Sequence, residues 1–134
     1  MKIDEIKSSA ELFLYKAKID LKSAKYLWEG FRNDNLEIDM EIIIFHLQQC
    51  TEKLLKSLLS KERIRVSKIH DIQKLIVALE KNNIFFPSNI RRLESLSEFA
   101  IMGRYSIILD DIEDVESHFE ILDNFIIFVK KAIK

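Results

Sequence analysis

The chain has 134 residues, 48% hydrophobic and 32% charged, with a net charge of −1 from 21 basic and 22 acidic side chains. That length suits one domain over 1–134 with a single core, and that balance excludes both a disordered and a membrane-spanning chain. Two glycines (Gly30, Gly103) and one proline (Pro87) are too few for the tight turns of a sheet protein. The elements must be long, and long elements are helices.

The first predicted helix covers about 4–28. Leu14, Leu21, Ala24 and Trp28 recur near the helical period, with Lys16, Lys18, Lys22 and Lys25 between them. Gly30 is expected to end it, and Asn33, Asp34 and Asn35 are turn chemistry. The second helix, about 36–60, is the most apolar. Ile42, Ile43, Ile44 and Phe45 are consecutive, and four large apolar neighbours do not fit on one narrow stripe, so this helix should be central and covered on most sides.

A charged link leads to a third helix over about 69–81, with Ser67 as its expected N-cap and Asn82 and Asn83 as its stop. Pro87 requires an extended residue before it, and Ser88 is expected to cap a fourth helix reaching about 102. The fifth helix covers about 110–133. Its acidic start (Asp110, Asp111, Glu113) and basic end (Lys130, Lys131, Lys134) complement the helix dipole. The fold class is all-α, a bundle of about five helices.

Near-neutral overall charge provides no global field to draw the chain onto nucleic acid, so any such binding must rest on a local patch. A single cysteine, Cys50, excludes an internal disulfide and points to inert core. The first ten residues are polar and no apolar run approaches the roughly 20 residues of a membrane span, so a cytoplasmic protein is expected. Abundant isoleucine and lysine with scarce glutamine is a balance met in heat-adapted proteins.

Several side chains carry chemistry. His46, Gln49, Lys53 and Lys56 fall within an arc of about 80° on the second helix. They make either a groove-facing row for a phosphate, a nucleotide or a facing subunit, or the solvated face of an amphipathic helix. Asp71 beside His70 suits helix capping, while the imidazole of His70 suits proton transfer. Arg65 precedes His70 by five positions, and an arginine and a histidine at one phosphodiester suit metal-independent RNA cleavage. Arg104 and Tyr105 either bind phosphate and stack on a base, or pair with acids and plug the core. His118 has no second ligand at helical spacing, and neither a metal nor another cofactor is expected.

The chain resembles the HEPN domain family, the higher eukaryotic and prokaryotic nucleotide-binding domain. The resemblance rests on 17–24, on Gln48, Gln49, Glu52, Lys53 and Lys56 within 45–59, on His70, Asp71 and Ile72, and on Gly103, Arg104 and Tyr105. It implies an up-and-down bundle that pairs as a homodimer and a nucleotide- or RNA-binding or regulatory role. It also implies partnership with a minimal nucleotidyltransferase in a toxin–antitoxin system. Many members are ribonucleases with an Arg-x(4–6)-His motif late in the fold. Arg104 and His118 lie outside that spacing here, and the Arg65–His70 pair that matches it lies at the entrance to the third helix. The reading that follows is a binding or regulatory module, with an endoribonuclease using Arg65 and His70, or a non-catalytic assembly subunit, as alternatives. The consecutive Ile126, Ile127, Phe128 and Val129 leave one residue facing outward as an oligomer surface.

Overall fold

A computed structural model describes residues 3–33, 40–66, 68–96 and 112–134. Four α-helices, α1 (Ser9–Arg32), α2 (Met40–Lys61), α3 (Ile72–Lys81) and α4 (Ile112–Ala132), carry the described residues, with 3-10 turns at Ile3–Glu5 and Ser88–Leu93. No strand occurs among them. The all-α expectation holds, and several expected boundaries move.

The first helix does not start at Asp4. Ser8 is its N-cap, its side chain accepting from the Glu11 backbone N–H at 3.1 Å, and the Ser-x-x-Glu spacing is the sequence signal for that start. Nor does Gly30 stop it. The helix runs through Gly30 to Arg32 and is capped at Asn33, because a lone glycine costs about 1 kcal/mol and packing outweighs that. The stretch 34–39 lies outside the described residues, and α2 continues one residue past Ser60.

The third helix starts at Ile72 rather than near 69. Asp71 caps it, accepting from the Gln73 N–H at 2.9 Å; Ser67 lies outside the described residues. The expected fourth helix begins as a 3-10 turn whose cap position is Pro87, with no side-chain cap from Ser88. Pro87 fixes φ without a donor, and the first turn stays tight. Ser95 and Leu96 are helical; from 97 on, that helix lies outside the described residues, as do Gly103 and the expected fifth-helix start at Asp110 and Asp111.

Both α2 and α3 end in the same six-residue closure. Ile64 N–H donates to the Leu59 carbonyl at 3.1 Å and Arg63 N–H to Ser60 at 2.9 Å; Ile84 and Asn83 repeat this onto Leu79 and Glu80. The residue that turns the chain has positive φ, 62° at Arg63 and 56° at Asn83. Asparagine tolerates that conformation and arginine does not favour it.

Helix α2 is the hub, packing on α1, α3 and α4. Ala17 and Ala24 are fully buried, and such small side chains let helices approach closely. Leu47, Leu54, Leu55 and Leu59 of α2 meet Leu75, Ile76 and Leu79 of α3 and Leu122 and Phe125 of α4 in one core. Emptying such a position, as in Leu54→Ala, typically costs about 2–5 kcal/mol. The Ile42–Phe45 run divides as a helix requires: Ile43 and Ile44 are buried, Ile42 and Phe45 exposed.

Candidate functional site

The polar line of α2 is not a solvated face. Lys56 is only 4% exposed, and His46, Gln49 and Lys53 are half-buried. Neighbouring elements divide the line into two clusters that involve α1 on one side and the α2–α3 link on the other.

In the first cluster the acceptor is Asp20 on α1, which lies among the buried residues. His46 Nδ1 is 3.1 Å from Asp20 Oδ1, and Lys53 donates to Asp20 Oδ2. A carboxylate only accepts, so His46 turns a protonated Nδ1 toward Asp20. His46 also lines an open groove between α1 and α2 with Ile19, Lys22, Ser23, Tyr26 and Leu27.

In the second cluster Glu52, 3% exposed, lies 3.7 Å from Lys56 Nζ and 3.2 Å from His70 Nδ1. The Gln48 amide donates to the His70 carbonyl at 3.4 Å, and Gln49 donates to Gln48 Oε1 at 2.9 Å. Lys56 also stands over the Phe13 ring, 6.0 Å from its centroid. Buried charges demand partners, and here they tie the entrance of α3 to α2. His70 itself is held by one ring nitrogen while most of its side chain stays in water.

Around His70 the link is cationic. Arg63, Arg65 and Lys68 are exposed and form no ion pair among the described residues. Asp71 is occupied as a cap. Arg104 and Tyr105 lie outside the described residues. Cys50 is fully buried, and burial pushes its thiol above the ordinary range, which suits inert core. His118 is buried on α4, and no group of three metal-ligating side chains gathers among the described residues. No helix among them is long and apolar enough to cross a membrane.

The HEPN domain model matches residues 10–132, nearly the whole chain. The chain belongs to the HEPN domain family. Searches of curated proteins and of solved structures return no match. HEPN membership ties the chain to nucleotide- and RNA-related function in general terms. The stretch that signalled the family is largely architectural in this HEPN domain: Gln48 and Glu52 hold His70, and Lys56 pairs with Glu52. Sequence reading missed Asp20 and Glu52 as the acceptors of both clusters. An acid within an apolar stripe was the available signal, since Asp20 lies between Ile19 and Leu21 on a core-facing helix.

Proposed function

We propose that this HEPN domain is a nucleotide- or RNA-binding module that works as a homodimer and grips phosphate with the cations of the α2–α3 link. One observation carries the reading. Arg63 occupies a left-handed position that glycine fills at no steric cost, and its guanidinium has no ion pair among the described residues. A side chain kept against local backbone preference, beside exposed Arg65 and Lys68, points to a role in binding. Arginine presents a planar fork of donors to phosphate.

HEPN domains commonly dimerise. Phe85, 76% exposed, packs its ring 5.7 Å from that of Phe128, and Ile127 is 55% exposed. That apolar patch suits cover by a second copy. Pairing with a minimal nucleotidyltransferase in a toxin–antitoxin system completes the proposal. His46, Gln49, Lys53 and Lys56 serve it by holding α1, α2 and the link in register rather than by touching ligand along their whole row.

A second reading is favoured by one contact. Buried Glu52 fixes the proton of His70 on Nδ1 and leaves Nε2 for proton transfer, with Arg65 in the same link to stabilise charge on a phosphodiester. That is a metal-independent endoribonuclease.

Titration of labelled RNA and of ATP at two salt concentrations tests both. Arg63→Gly should raise stability by about 0.5–1 kcal/mol while weakening RNA binding and flattening its salt dependence. Equal binding by wild type and Arg63→Gly at low salt removes the first reading. RNA cleavage in EDTA that is lost in His70→Ala selects the second.

A further inference from the structure

The exposed face shared by α1 and α2 carries a feature that phosphate binding does not use. Leu12, Ile19 and Tyr26 are 40%, 47% and 73% exposed and recur every seventh residue along α1. On α2, Ile42 and Phe45 are 41% and 51% exposed, and the Phe45 ring lies 5.7 Å from that of His46. A seven-residue apolar repeat is the seam one helix presents to another. From Leu12 to Tyr26 this seam runs about 21 Å, the length of about four helical turns.

Between the two helices the surface is a groove of about 540 Å³ lined by Ile19, Lys22, Ser23, Tyr26, Leu27 and His46. It is open along its length, so it would leave most of a small molecule in water. It does suit a row of side chains from an amphipathic helix. Beneath it Asp20 holds both His46 and Lys53, so the wall is fixed before anything docks.

Charge selects the occupant. Lys16 and Lys22 are exposed beside the seam, and Lys16, Lys18 and Lys22 form no ion pair among the described residues. The one acid in the middle of this face, Asp20, is already shared by His46 and Lys53. A second copy docked antiparallel about a two-fold axis at Ile19 would set Lys16 against Lys22 of that copy, a like-charge contact. A helix with acidic flanks would meet the same lysines with opposite charge.

We propose that the α1–α2 face is a docking site for an amphipathic helix of another protein, with an apolar seam and flanking glutamates or aspartates. The test uses the full chain and two stapled helical peptides sharing one leucine seam, one flanked by glutamate and one by lysine. Fluorescence anisotropy should show the glutamate peptide binding at least about tenfold more tightly at low salt, with amide shifts centred on Ile19, Tyr26 and Phe45. Lys16→Glu combined with Lys22→Glu, a surface change that spares the core, should reverse the preference. Equal affinity for both peptides, shifts elsewhere on the molecule, or a preference unmoved by the double variant would overturn the proposal. So would a chain dimer that Tyr26→Glu dissociates, because the occupant would then be a second copy.

Discussion

Two clusters of polar residues interleave along α2 and are put to different uses. In one, His46 and Lys53 reach Asp20 on α1, and one edge of that cluster opens to a groove. In the other, Glu52 and Lys56 are almost without solvent, Glu52 holding His70 of the α2–α3 link and Lys56 standing over Phe13. The difference lies in what packs over the line, not in the line itself. Partial burial leaves charge partly solvated and exchangeable; full burial makes each charge dependent on its partner.

The sharpest way to break that comparison is to remove one partner from each cluster. Glu52→Ala strands Lys56 and frees His70, and chemical denaturation should show a loss of about 3–5 kcal/mol. Asp20→Asn keeps the shape while weakening its hold on Lys53 and His46. Because both partners of Asp20 reach water, the expected loss is only about 1–2 kcal/mol, and comparable losses at the two sites would erase the distinction. The smallest effect tests how dry the core between the clusters is. Cys50 stays a thiol when folded, whereas the unfolded chain ionises near the ordinary thiol pKa of about 8.5. Above that pH the unfolded state binds fewer protons, so stability should fall by up to about 1.4 kcal/mol per pH unit. Cys50→Ala should abolish the slope whatever its own baseline stability; a slope that survives the substitution would place its source elsewhere.

Helix class and helix order were legible from residues alone. Glycine and proline scarcity, and the period of Leu14, Leu21 and Trp28, are local properties that no tertiary contact needed to supply. Caps were legible where a side chain closes its own turn, as Ser8 and Glu11 do, and a lone Gly30 misled because the helix-breaking cost of one glycine is smaller than the packing around it. The HEPN family was also readable from the order of its motifs.

Sequence by itself determined that four polar side chains of α2 share one line, because 100° per residue is a property of the backbone. It could not determine what covers that line. Whether lysine is solvated or buried depends on elements far along the chain, and Lys56 is buried over Phe13 of α1, beside a Glu52 that also holds His70. Only the tertiary structure decided that Asp20, 26 positions before His46 and 33 before Lys53, would receive both. Coulombic pairing acts through space, and the sequence records only the spacing along the chain.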